Sequence, residues 1–546
     1  MDPGRPTLRT PSWWWADRDH GDELTVSIWD NGEPANRERP TSSQNGQNDA
    51  VLPRNRLSLA CAAMLAVALA GCRDGGGDEG GEGDAPSSSP PPSGSASPDS
   101  PDTESPEDVE EAVNQTREDS VYPDVGDPLV DALHYDLSLA WAPESDTLQA
   151  TERLTFRATA DADQVQLDFD DVLAIKSLTI DGEDTDFQRR DKDLVLSHAV
   201  KADDEYVLEM TYSGTPEPYD APTQRSDFRL GVGWHVTPEH ETWTIQEPYG
   251  AFTWYAANDQ PADKAYYDFT LTVPEPWTGI ANGELTDTTE ADGLRTTTWH
   301  LAEPASSYLV TVAFADYTPT ELESAGGVPV TIWGPRDDPD AIGETEYAPE
   351  AMDWLEQYLG PYPFDTFGIV IYDGESGMET QTMVTLGDTE YATSKAVVVH
   401  ELAHHWYGDT VTPADWSDVW MNEGMAMYLQ GMWEAEDEGV TIDEKMDDWA
   451  VFESDLRAFS GPPGAYDPAN FGDGNIYFGP ALMWHELRQQ IGDDAFFALL
   501  RDWPADQEND TADREEYLSW IEAETGEELT AFFDDWLLSE TTPPRD

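Results

Sequence analysis

The chain has 546 residues, with 28 Lys and Arg against 112 Asp and Glu, a formal net charge of −84. Such a balance excludes nucleic acid as a partner and excludes a polybasic membrane patch, because both need clustered basic residues. An aromatic content of 11%, with 21 Trp, excludes a wholly disordered chain.

Residues 1–50, with Trp13-Trp14-Trp15, carry no usable periodicity and read as a non-native N-terminal extension. Residues 51–71 have the layout of a signal peptide, with Arg54 and Arg56 before a largely apolar stretch from Leu57 to Ala70. Those 14 residues fall short of the roughly 20 that a spanning helix needs. The stretch ends in Leu69-Ala70-Gly71-Cys72, which resembles the lipobox of bacterial lipoproteins. The resemblance implies cleavage before Cys72, acylation of that cysteine, and anchoring to the outer face of the cytoplasmic membrane. Cys61 is the one other cysteine and would leave with the signal, so no disulfide is expected. Residues 72–124 are rich in Gly, Ser, Pro and acid and read as a disordered tether spanning about 40 Å.

The acid is not confined to the tether. Residues 73–124 hold fifteen acids and two bases, while residues 125–546 carry a net charge of −69. With only 6 Lys among the 28 bases, this reads as a folded surface adapted to high salt.

From about Leu129 to Tyr317 apolar residues recur with period two. Leu133–Trp141, Leu148–Ala158, Val165–Phe169, Tyr206–Tyr212, Tyr266–Val273 and Tyr308–Phe314 read as strands, with turns at Asp181-Gly182 and Asn282-Gly283. Residues 125–325 are therefore expected to form an antiparallel β-sandwich. Beyond it, Ala348–Leu359 reads as a helix stopped by Gly360-Pro361, Phe367–Tyr372 as a buried strand, and helices are expected to dominate to Leu538. A β part followed by an α-rich part predicts a multidomain α+β chain with a second domain over 326–546.

A helix capped at Thr393-Ser394 would carry His400 and His404 on one face, with Glu401 between them. This H-E-x-x-H pattern is the one in which two imidazoles bind zinc and the carboxylate works on its water. A catalytic zinc usually takes a third protein ligand, and Glu423, in Trp420-Met421-Asn422-Glu423-Gly424, is the candidate. His/His/Glu ligation suits one Zn2+ per chain best, though not uniquely. His405 would point about 100° away from His404 and reads as packed or as a support behind the ligands.

HELAHHWYGD followed by WMNEG resembles the M1 family of zinc aminopeptidases. The resemblance spans roughly residues 128–540 and implies a thermolysin-like, mainly α catalytic domain after the sandwich. It implies a short form, without the large helical C-terminal domain of longer members. The family's G-x-M-E-N motif is matched in part by Gly377-Met378-Glu379-Thr380-Gln381, with Thr in place of Asn, which implies that Glu379 grips the substrate's free α-amino group. Thr244-Ile245-Gln246-Glu247-Pro248 resembles the T-Q-x-E-P segment and implies a second amine-binding carboxylate at Glu247; the family's Gln falls on Ile245. A family tyrosine that donates to the oxyanion is matched best by Tyr477, with Tyr466 as competitor. Glu401 would serve as general base, and peptides with a free N-terminus as substrates. A thermolysin-like endopeptidase and a catalytically inactive zinc-binding scaffold are the rival readings.

Overall fold

The computed structural model describes residues 114–545. The N-terminal extension, the signal segment, Cys72 and most of the expected tether lie outside these residues.

The N-terminal domain is built on an eight-stranded sheet. Its centre is the meander Val130–Ala142, Thr147–Ala158 and Glu205–Gly214, where buried and exposed positions alternate as the period-two pattern predicts. The sheet is not wholly antiparallel: Val130–Ala142 runs parallel to Lys264–Pro274, with His134 opposite Tyr266. A four-stranded sheet and a three-stranded sheet complete the domain. Their side chains meet in one core, where Trp141 packs on Trp234 and Phe169 on Tyr212. One expected strand is different. Ser307–Leu309 is a 3-10 turn, and the strand begins only at Val312.

Glu152 lies in this core, its Oε2 accepting from the Ala256 amide at 3.0 Å. Burial pushes its carboxyl up from 4.5 to about 8. The fold therefore favours the protonated form, and stability falls as pH rises between those two values. A Glu152→Gln variant stays neutral. Its stability relative to the parent is expected to rise between about pH 5 and pH 8, by roughly 2–4 kcal/mol at most. Parallel curves of Tm against pH for the two proteins would contradict this.

The second domain opens with a five-stranded mixed sheet. Tyr317–Glu323 pairs with Pro329–Pro335, which runs parallel to Phe367–Tyr372 and through it to the fully buried Met383–Gly387. Tyr317–Glu323, which precedes the expected boundary at 325, thus hydrogen-bonds into the sheet that holds Phe367–Tyr372. Eight helices follow among the described residues: α1 (Ala348–Leu359), α2 (Lys395–Ala403), α3 (Trp420–Glu438), α4 (Ile442–Ser460), α5 (Asn475–Ile491), α6 (Asp493–Asp506), α7 (Arg514–Thr525) and α8 (Thr530–Leu538). They share a second core with the sheet, in which Trp420 packs on Trp484 and Tyr517.

Residues 114–124 are not part of a free tether. Asp119 is buried and accepts from the Trp416 amide at 2.7 Å, Ser120 donates to Asp415 through its amide and hydroxyl, and Tyr122 donates to the Pro468 carbonyl. This acidic segment straps the two domains together, because its polar groups find backbone and side-chain partners in the second domain. Lys264 crosses the same junction. Its fully buried ammonium donates to the Asp409 and Thr410 carbonyls at 2.7 and 3.1 Å, just past α2.

Candidate metal centre

Helix α2 is capped by Ser394, whose side chain accepts from the Val397 amide. One turn apart at its C-terminal end, His400 and His404 present Nε2 atoms 3.2 Å from each other. Helix α3 brings Glu423 to them, with Oε2 at 3.2 Å from His400 Nε2 and 3.4 Å from His404 Nε2. A tetrahedral zinc with ligand bonds of ~2.0–2.1 Å has ligand–ligand edges of roughly 3.3 Å. All three separations match that edge, so the donor set fits one zinc ion in chemistry and in spacing. Its orientation is supported from outside. His404 Nδ1–H donates to the Tyr407 carbonyl at 3.2 Å, which leaves the Nε2 lone pair free for the metal. Burial pushes the Glu423 carboxyl up, but the adjacent His400 and His404 outweigh it and hold the group well below the usual carboxylate range.

Glu401 is buried beside this set, one ligand atom each from Glu401, Glu379 and His404 falling within 4.8 Å of one another. Burial, then the neighbouring Glu379, pushes its carboxyl up to about 8. Glycine at 377 leaves room for this approach, since a Cβ there would stand 2.4 Å from Glu401 Oε1 and make that carboxylate shift. Met378 is buried and pairs with Thr385 at the edge of the catalytic sheet.

Glu379 and Glu247 converge from opposite domains. Together with Glu423 they offer carboxylate oxygens within 4.8 Å of one another. Both are buried, and Oε1 of each has no hydrogen-bond partner. Burial raises both carboxyls above the usual range, and for Glu247 the adjacent Glu379 adds to it. The Glu379 loop is fixed from several sides. Thr380 Oγ1 donates to the Met383 carbonyl, Asn282 Nδ2 donates to the Gln381 carbonyl at 2.6 Å, and the Gly283 amide donates to Thr382 Oγ1 at 2.7 Å. His405 is a packing residue, fully buried among Tyr362, Phe364 and Phe367, and its Nε2 accepts from the Thr382 amide at 3.1 Å. Ile245 is part of the sandwich core.

The two tyrosines separate cleanly. Tyr466 donates its hydroxyl to the Trp416 carbonyl at 2.8 Å. Tyr477, in the first turn of α5, donates to Glu423 Oε1 at 2.9 Å. Its reach depends on a close helix crossing, because a Cβ on Gly424 of α3 would stand 2.2 Å from Pro480 Cβ of α5. A Gly424→Ala variant is therefore expected to lose about 1–3 kcal/mol of stability in denaturant unfolding. Unchanged stability would mean that the two helices separate without cost. One residue at the site escaped sequence reasoning altogether. Arg225, on a loop of the N-terminal domain, donates to the Tyr477 hydroxyl at 3.2 Å.

A β-rich domain joined to a helical domain whose H-E-x-x-H helix and downstream Glu form a zinc set defines a two-domain zinc metalloprotein. Two family models match: the Peptidase family M1 domain over residues 344–536 and the Peptidase M1 N-terminal domain over residues 131–309. Together they cover more than half of the chain, which belongs to peptidase family M1. It is 31% identical to Aminopeptidase N of Homo sapiens over 196 residues, covering 32% of this chain and 20% of the human protein. With Aminopeptidase N of Streptomyces lividans it is 27% identical over 320 residues, 52% of this chain and 36% of that protein. The matches thus span about a third or less of these curated relatives. A two-domain match is fuller: the M1 zinc metallopeptidase of Deinococcus radiodurans, as a substituted form bound to a Tyr-Ser-Ala substrate, superposes with a TM-score of 0.72 at 26% identity, covering 79% of this chain and 99% of that one.

Proposed function

We propose that the chain is a zinc-dependent aminopeptidase that removes the N-terminal residue from peptides. The observation that carries this reading is the pair of buried carboxylates, Glu379 and Glu247, whose Oε1 atoms accept no hydrogen bond, beside a zinc-compatible set. Buried carboxylates need a counter-charge, and an ammonium offers one with three N–H donors. A substrate's free α-amino group held there would leave no room for a longer N-terminal extension.

His400, His404 and Glu423 would hold the zinc. When bound, it supplies a Lewis acid at the scissile carbonyl and a lowered pKa for water. Glu401 takes the proton of the attacking water on its carboxylate and passes it to the departing amine. Tyr477 turns its O–H from Glu423 towards the developing oxyanion, where a fixed donor is worth about 3–4 kcal/mol. Glu379 and Glu247 orient the substrate through its ammonium, with Gly377 giving Glu401 room to approach.

Mass spectrometry of a digested peptide tests the reading. Stepwise loss of single residues from the N-terminus is expected. Internal cuts would favour an endopeptidase, and an intact peptide an inactive zinc scaffold.

Two further readings rest on the sequence. Export and lipid anchoring at Cys72 to the outer face of the membrane are supported by the lipobox-like segment; a Cys72→Ala variant should leave the membrane fraction, and retention there would contradict it. Adaptation to high salt is supported by the −69 carried by residues 125–546. The Tm is expected to rise between about 0.1 M and 2 M KCl, as screening relieves repulsion among the acids; a flat or falling Tm would contradict it.

A further inference from the structure

We infer that Arg225 is a positioning residue that acts through Tyr477, an inference that rests on the oxyanion role proposed above for that tyrosine. Arg225 lies in the loop between the strands Glu205–Gly214 and Gly233–Val236 of the N-terminal domain, 252 residues from Tyr477. Its guanidinium is clamped. Nε and Nη2 donate to the two oxygens of Asp227 at 3.2 and 2.6 Å, and Nη1 donates to the Gly472 carbonyl at 3.0 Å. Asp227 is held in turn by Ser376 Oγ at 3.0 Å, the residue before Gly377. The remaining bond of Nη1 is the one to the Tyr477 hydroxyl at 3.2 Å.

The geometry has a direct consequence for a hydroxyl that must donate. A tyrosine O–H has a single proton. Because the oxygen accepts from Arg225, its own proton is directed towards Glu423 and the metal set. A hydroxyl that accepts from a cation is also a stronger donor, since bonds in a chain polarise one another. The clamp on Asp227 and Gly472 lets Arg225 hold this position at little cost in side-chain entropy. The N-terminal domain thereby fixes the head of α5 in the other domain, and Ser376 links the same clamp to the loop bearing Glu379.

The test compares Arg225→Met, Arg225→Lys, Tyr477→Phe and the Met/Phe double variant of the full chain, assayed on a free-amino alanyl reporter with zinc content measured. Arg225→Met should lower kcat on the order of tenfold with KM within about twofold, and Arg225→Lys should restore part of the loss. On the Tyr477→Phe background, Arg225→Met should cost less than about twofold, because its route of action is already gone. A crystal structure of the metal-free Arg225→Met protein should show the Tyr477 hydroxyl displaced from Glu423. Additive losses, a change confined to KM, or an unmoved Tyr477 would overturn the inference. Full rate in Arg225→Met with a crippled Tyr477→Phe would sink this inference alone, whereas full rate in Tyr477→Phe would remove the tyrosine's role and this inference with it.

Discussion

The Glu401→Gln enzyme is expected to bind one zinc per chain and to turn over free-amino substrates about 10²–10⁴-fold more slowly than the parent. The two halves of this expectation have separate causes. Zinc retention follows because the spacing of a tetrahedral edge is met by His400, His404 and Glu423, with Glu401 outside the set. Loss of turnover follows because an amide cannot accept the water's proton. The replacement is nearly isosteric, so it suits the narrow space beside Gly377 and should leave the fold intact. The checks are metal analysis and steady-state kinetics on one preparation. Normal turnover would assign the proton transfer to another group, and loss of zinc would place Glu401 among the ligands.

The second large effect is expected at Glu379. Its carboxylate is buried beside Glu247, and its Oε1 accepts no hydrogen bond, with His404 Nδ1 3.9 Å away. Replacing it with Gln removes one of the two charges that oppose the substrate's ammonium, and losing one partner of a buried charge pair costs about 2–5 kcal/mol. The value of kcat/KM for a free-amino reporter should therefore fall roughly 10²–10³-fold, with zinc content unchanged. An N-acetylated reporter has no ammonium, so its slow rate should not fall in parallel. Equal losses on both reporters would show that Glu379 supports the catalytic apparatus and not the amine.

Much of the zinc site was legible in the sequence because its geometry is local. His400 and His404 are four apart on a helix, and that spacing alone puts both imidazoles on one face. Helix α1 and the strand Phe367–Tyr372 were legible with their ends, through apolar periodicity and the Gly360-Pro361 stop. What escaped was set by distant partners. Arg225 sits on a loop with no pattern, and its bond to Tyr477 joins two domains. Tyr308 and Leu309 look like the start of a strand by composition, yet the Leu309 carbonyl accepts from Asn282 and Gln381, which draws the backbone into a turn. Residues 114–124 share the acidity of the segment before them, and only the Trp416 amide and Asp415 reveal that Asp119 and Ser120 are folded in place. The strand Met383–Gly387 is five buried residues, too short for periodicity to separate from a helical turn.

Zinc titration of the metal-stripped protein, read on matched free-amino and N-acetylated reporters, tests the central claim most directly. Turnover of the free-amino reporter should be absent without metal, return with added zinc and saturate at one zinc per chain, while the acetylated reporter is cleaved far more slowly at every zinc level. Turnover without metal, or comparable cleavage of the acetylated reporter, would contradict a zinc-dependent aminopeptidase.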